Sequence, residues 1–236
     1  MSDATLRRDA REPDDADAEV RLLARRLRSG ELARSALELA AWVGHEPSAR
    51  ALDVPDRPPL RLPEVLIGLE RWGHATLVRG LLAIGRAAAP RLPAAQRAAA
   101  DALCDRVLAW LEGDGSTASQ AVLEAAEALR RQDAAPRVLD AVVRVATGLG
   151  AATAPLGPAE LRARVWSAME DVAPASAQDA AVLAVGLTAW ITANALPQPE
   201  RDRSLRQFVG WVRRAGVTDA DMRAALRDAL TPHALG

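Results

Sequence analysis

The chain has 236 residues, half of them hydrophobic, with 31 acidic residues, 30 basic residues and a formal net charge of −1. This composition excludes a wholly disordered chain, and the balanced charge excludes a sequence-wide attraction to nucleic acid or to an anionic membrane surface. A single cysteine excludes an internal disulfide. Every basic residue is arginine, which is typical of a GC-rich genome.

The residue types predict an all-α protein. Alanine, leucine and arginine dominate and all favour helices, whereas β-branched residues are few. Apolar residues recur at helical spacing from Ala16 onward. We expect about eleven or twelve helices joined by short loops and stacked in antiparallel pairs, as in an α-solenoid or a globular multi-helix bundle.

In the first half of the chain, glycine and proline mark the ends of the predicted helices. Residues 1–13 mix charges without a period and predict a disordered tail. Residues 53–63 contain four prolines and predict a connector. The helices are expected from Ala16 to a stop at Gly30, from Leu32 to Gly44, from Pro47 to about Leu52, from Pro63 to Gly73, from about Leu77 to before Pro90, and from Pro93 to about Leu111.

In the second half, three segments have the spacing of an N-terminal capping box. They begin at Thr117, Ser176 and Thr218. The helices are expected from Thr117 to about Leu129, from Pro136 to about Leu149, from Pro158 to about Val172, from Ala180 to Leu196, from Pro199 to Ala215, and from Thr218 to Leu230 with a stop at Pro232.

The segment from Ala180 to Leu196 carries no charged residue. A helix that is apolar all round must be enclosed, and this one is too short and too rich in small residues to suit a lipid bilayer. We therefore predict a central buried helix and no membrane segment. The domain boundaries are predicted as a tail over 1–13, an N-terminal helical segment over 14–54 and a main helical domain over 55–236, with one domain over 14–236 as the alternative.

Two short segments of the sequence echo each other. Trp42-Val-Gly-His45 and Trp72-Gly-His74 each lie where one predicted helix ends and the next begins, and an arginine follows each, at Arg50 and Arg79. Self-similarity of this kind is typical of repeat proteins. Residues 37–52 resemble the end of the first helix of an ankyrin repeat or a Sel1-like repeat. The resemblance implies a protein-binding solenoid, although the Thr-Pro-Leu-His start of an ankyrin unit is absent.

No combination of residues predicts catalysis or metal binding. The three histidines, His45, His74 and His233, have no partner at ligand spacing, so we predict no metal site and no cofactor. His45 and His74 follow helix ends, where they are expected to cap the last carbonyls or to lie on the surface, and His233 is placed in a C-terminal tail. Cys104 falls on the apolar face of its helix and is expected to be a buried structural thiol.

The tryptophans give the best indication of an interaction surface. The six tryptophans all lie on predicted helices, and Trp110 and Trp211 lie at the edges of apolar stripes, where partial exposure would make them interface anchors. Arginines would add contacts to a partner's carboxylates. The candidate interface residues are Trp42, Arg50, Trp72, Arg79, Trp110 and Trp211.

The sequence therefore favours a cytoplasmic scaffold or adaptor that binds another, unidentified protein, with no membrane partner; a homo-oligomer is compatible with it. One alternative is an enzyme or ligand-binding bundle with a small-molecule pocket at the central helix. A second, less favoured alternative is DNA binding through residues 37–52, which loosely fit a helix-turn-helix with Arg50 facing the bases.

Overall fold

The computed structural model describes residues 16–54, 60–92, 94–112 and 198–236. Every regular element in these residues is a helix and none is a strand, so the prediction of an all-α protein is confirmed. Within the same residues, no helix is both long and apolar enough to cross a bilayer. The predicted central helix over 180–196 and the predicted helices between Thr117 and Val172 lie outside the described residues, as does the 1–13 tail.

The chain divides into two compact units. The first comprises residues 1–61 and 226–236, and the second comprises residues 62–225. The predicted N-terminal segment, 14–54, falls inside the first unit. The last eleven residues of the chain also belong to that unit, which the local sequence pattern did not predict.

Three helices near the start of the chain build the first unit, and each begins and ends close to its predicted bounds. They are α1 (Ala16–Ser29), α2 (Arg34–Trp42) and α3 (Glu46–Ala51). Leu23, Leu32 and Leu37 form a buried cluster. Burying apolar side chains of this size contributes roughly 1.5–3 kcal/mol each. The short helix α3 packs against both α1 and α2.

The last helix of the chain corrects one prediction. Pro232 was expected to end it, but the helix runs from Asp219 to Leu235 with Pro232 inside. Tertiary contacts explain the difference, because Leu235 packs against the Leu23 cluster and its carbonyl accepts a hydrogen bond from Arg26 Nη1 at 3.1 Å. These contacts hold the final turn helical although proline cannot donate a backbone hydrogen bond there.

The second unit contains the described helices α4 to α7 and the start of the last helix, α8. Their bounds are α4 (Leu62–Gly68), α5 (His74–Ala88), α6 (Ala94–Glu112), α7 (Gln198–Arg214) and α8 (Asp219–Leu235), with 3₁₀ turns over Leu69–Trp72 and Ala89–Arg91. Helix α7 packs against α4 and α5, and α5 packs against α6. Whether these contacts continue as stacked antiparallel pairs stays a prediction.

The core of the second unit follows the predicted apolar stripes. On α7 the stripe of Leu205, Phe208, Val209 and Val212 is fully buried. The facing helices contribute the buried residues that share this core: Val65, Leu66, Leu69, Leu77, Val78, Leu81 and Leu82.

A capping box begins α8, as the sequence predicts. The Thr218 amide donates to Asp221 Oδ2 at 3.1 Å, and the Asp221 amide donates to Thr218 Oγ1 at 3.2 Å. The hydroxyl of Thr218 also donates to Asp221 Oδ2 at 2.8 Å. These bonds to Thr218 hold the pKa of the Asp221 carboxyl below its ordinary value, because they stabilise the charged form.

We expect Thr218→Ala to lower the free energy of unfolding by about 1 kcal/mol, because the variant leaves the Asp221 amide without its cap. Urea denaturation at neutral pH measures the loss. The matched control is Thr218→Ser, which keeps the hydroxyl and should retain most of the stability. Equal losses in both variants would show that the threonine methyl, and not the cap, supplies the stabilisation.

Candidate functional site

The six candidate interface residues divide between the two units. Trp42 and Arg50 belong to the first unit, whereas Trp72, Arg79, Trp110 and Trp211 belong to residues 62–225. The two units therefore carry separate candidate surfaces. Among the five whose side chains the structure describes, the surroundings of Trp72 have the geometry best suited to contact with a partner.

Trp72 ends the 3₁₀ turn that follows α4 and is half-buried. The exposed neighbouring residue, Arg71, places its guanidinium carbon 5.0 Å from the centre of the Trp72 ring. A guanidinium at this distance from an indole face makes a cation–π contact. The result is a partly exposed aromatic ring with the positively charged guanidinium of Arg71 over it, which we call the Arg71–Trp72 pair.

The backbone around this pair is fixed by hydrogen bonds. The Trp72 carbonyl accepts a bond from Thr76 Oγ1 at 3.0 Å, and the Gly73 amide donates to the Glu70 carbonyl at 2.9 Å. Gly73 has φ of +96°, a conformation that residues with a Cβ rarely adopt. These features fix the backbone of the turn that carries the indole.

The candidates of the first unit are Trp42 and Arg50. Trp42 is half-buried at the end of α2. Arg50, on α3, donates from Nη2 to Asp17 Oδ1 of α1 at 2.5 Å. Arg50 would exchange this exposed pair for contacts with DNA bases, and DNA binding through residues 37–52 stays a prediction.

The remaining candidates in the second unit are Trp211, Arg79 and Trp110. Trp211 is 5% exposed and belongs to the core, so partial exposure, the condition for its use as an interface anchor, is not met. It lies beside Phe208 and Val212 on α7, so the edge of the apolar stripe is itself covered. Arg79 is half-buried on α5. The side chain of Trp110 lies outside the described residues.

The two Trp-Gly-His segments share a local backbone geometry. Gly44 and Gly73 have φ of +93° and +96°, and each is followed by a histidine at the start of the next helix. His45 is the N-cap of α3, and His74 is the first residue of α5. Gly30 and Gly216 also have positive φ after helix ends, but no Trp or His accompanies them. The common feature is thus a left-handed glycine that ends a helix, and the presence of a repeat stays a prediction.

The position of His45 differs from the prediction. Its side chain caps no carbonyl of α2. Instead, its Nε2 lies 3.3 Å from Glu19 Oε1 of α1, and its Nδ1 lies 2.8 Å from Ser48 Oγ of α3. The backbone amide of His45 donates to the Ala40 carbonyl at 2.9 Å. His233 also differs, since it lies in the last turn of α8 and not in a tail.

Ser48, His45 and Glu19 are linked through the two nitrogens of the ring, as in a nucleophilic triad. The burial of the serine argues against that chemistry. Ser48 is completely buried at the start of α3, so no substrate carbonyl could reach its hydroxyl. A nucleophilic serine also requires a neighbouring donor site for the oxyanion in an open pocket. This network therefore joins helices and does not form a catalytic centre.

Cys104 is buried on α6, as predicted, beside the buried residues Ala100 and Val107. Burial raises the pKa of its thiol to about 12. The nearby Arg86, which pairs with Asp105, opposes this shift but does not overcome it. Since only the thiolate is nucleophilic, Cys104 is suited to packing and not to catalysis.

We expect the native protein to react with a disulfide reagent such as DTNB at pH 8 far more slowly than the urea-unfolded protein. A thiol pKa of about 12, compared with an ordinary 9.0, lowers the thiolate fraction by roughly a thousandfold. Absorbance of the released thiolate measures both rates. A native rate within tenfold of the unfolded rate would contradict the buried placement.

No three His, Cys, Asp or Glu side chains in the described parts of the chain are grouped so that they could hold a metal ion. No protein-family model, curated protein or solved structure matches this chain. Functional inference therefore depends on the chain's own residues.

Sequence reasoning missed two features of these surfaces. The contact of Arg71 with Trp72 could have been suspected, because the two residues are adjacent and the arginine side chain is long enough to fold back over the ring. The contact of Glu19 with His45 had no such signal. It joins residues of two different helices, and only the packing of α3 on α1 brings them together.

Proposed function

We propose that the protein is an interaction scaffold or adaptor that binds another protein, and that the Arg71–Trp72 pair is a contact point for that partner. The observation that supports this proposal is the placement of a half-buried indole under an exposed guanidinium, 5.0 Å away, on a turn fixed by hydrogen bonds. Tryptophan and arginine are the residue types most enriched among the side chains that dominate binding energy.

The chemistry of the pair indicates which partner surface would fit. The indole provides a flat apolar area, and its position is fixed by the surrounding turn, so binding would order few additional groups. The guanidinium provides planar donors that match a carboxylate. A partner segment that combines an apolar side chain with an aspartate or glutamate would match the chemistry of both groups.

The test begins with affinity capture from native lysate, followed by binding measurements with the purified candidate partner. We expect Trp72→Ala to weaken binding by about 2 kcal/mol or more, roughly thirtyfold, which is the range of a central anchor. Arg71→Glu should also weaken binding, because it reverses the charge that meets the partner's carboxylate. Isothermal titration calorimetry measures both effects.

Arg206→Glu is the matched control, because Arg206 is an exposed arginine of the same unit on a different helix, α7. It should leave the affinity unchanged, and thermal unfolding should show that Arg71→Glu and Arg206→Glu keep the fold. The proposal fails if capture yields no protein that binds directly, or if the Arg71 and Arg206 variants bind as well as each other.

A further inference from the structure

The His45 ring makes a polar contact between α1 and the start of α3. Its side chain is 15% exposed, and Glu19 and Ser48 occupy its two nitrogens, at 3.3 Å from Nε2 and 2.8 Å from Nδ1. Glu19 belongs to α1, whereas Ser48 belongs to α3 and is completely buried. The ring thus lies between two helices that are separate along the chain.

The partners determine which nitrogen carries the proton in the neutral ring. An ionised carboxylate can only accept hydrogen bonds, so the nitrogen facing Glu19 must be the donor, Nε2–H. The other nitrogen, Nδ1, then has a free lone pair and accepts the hydroxyl hydrogen of Ser48. In this arrangement both contacts of the neutral ring are satisfied.

Protonation adds a hydrogen to Nδ1, where the neutral ring accepts a bond. The Ser48 oxygen must then accept from Nδ1–H, and the buried hydroxyl hydrogen loses its acceptor. We propose that His45 is a pH-sensitive latch that holds α3 on α1 while the ring is neutral, and that acidification loosens α3. This inference is independent of the proposed binding function.

The surrounding charges act on His45 in opposite directions. Burial lowers the pKa of the ring most, and it outweighs the carboxylate of Glu19, which raises the pKa by favouring the charged form. Arg227, from the C-terminal part of α8 within the same unit, also lowers the pKa. The net shift is below the ordinary value of 6.5.

The sign of the pH effect follows from this shift. Well above pH 6.5 the ring is neutral in both the latched and the released state, so the contribution of the latch is complete. As the pH falls below 6.5, the released state takes up a proton before the latched state does. The latch therefore weakens over this range and stops weakening below the lower pKa of the latched state.

Helix α3 is well suited to respond to the latch. It spans six residues, from Glu46 to Ala51, which is too short for a helix that is stable alone. A second polar contact with α1 is the Arg50–Asp17 pair, whose side chains are 45% and 63% exposed. Exposed pairs of this kind contribute little. Ala51 and Leu52 add apolar contacts with the Leu23 cluster.

The experiment uses the full chain and two NMR measurements between pH 7.5 and 5.0. The first is the titration of the His45 ring in protein labelled at histidine Cε1, with His74→Gln and His233→Gln to assign the three signals. The second is amide hydrogen exchange at Ala49, Leu52 and Val54, whose amides donate to the carbonyls of His45, Ser48 and Ala49. The amide of Ala215, in the other unit, is the internal reference.

We expect His45 to titrate below 6.5. After correction for intrinsic rates, exchange at the three α3 amides should accelerate as the pH falls, by at most about tenfold per pH unit, the limit for one proton. The reference amide of Ala215 should not follow. His45→Gln should abolish the acceleration at the α3 amides, whereas His233→Gln should retain it.

Two variants that each remove one charge should shift the pH midpoint of the transition in opposite directions. Glu19→Gln keeps an acceptor for Nε2–H but removes the negative charge, so the midpoint should move to lower pH. Arg227→Gln removes a positive charge, so the midpoint should move to higher pH. The proposal is overturned if His45 titrates at or above 6.5, if His45→Gln leaves the acceleration intact, or if the two variants shift the midpoint in the same direction.

Discussion

The second unit depends on the packing of α7 onto α4 and α5. The apolar stripe centred on Phe208 has no solvent contact, and the residues it meets on α4 lie some 140 positions earlier in the chain. The entropy of closing a loop grows only slowly with its length, so a well-filled apolar contact can offset this separation. Once α4 is held in this way, the 3₁₀ turn that ends at Trp72 has a rigid base, and the Arg71–Trp72 pair acquires a defined position.

Features that depend on a few neighbouring residues were predictable from the sequence. The capping box of Thr218 and Asp221 formed with both reciprocal bonds, because the spacing of a box already brings its two partners together. The end of α1 at Gly30 also depends only on neighbouring residues, and Gly30 has a φ of +76°. The apolar stripes of α5 and α7 were also recognisable, since helical periodicity itself places those side chains on one face.

Features that depend on the packing of distant residues were not predictable. Pro232 was expected to end a helix, but the contact of Leu235 with the Leu23 cluster lies some 200 residues away in sequence. Trp211 lies at the edge of an apolar stripe, and a single helix cannot reveal whether a neighbour covers that edge. The contact of His45 with Glu19 could not be predicted for the same reason, because Glu19 lies on a different helix, α1. The central helix at 180–196 stays a prediction.

Some of the many arginines of this chain make hydrogen bonds that join structural elements. Arg91 donates to the carbonyls of Ala87 and Gly216, and so joins the turn after α5 to the turn between α7 and α8. Arg213 makes two parallel bonds of 2.7 Å to Asp219, which lower the pKa of that carboxyl. A guanidinium already bound in this way must lose those bonds before it can bind a partner. Arginine abundance alone is therefore weak evidence for binding.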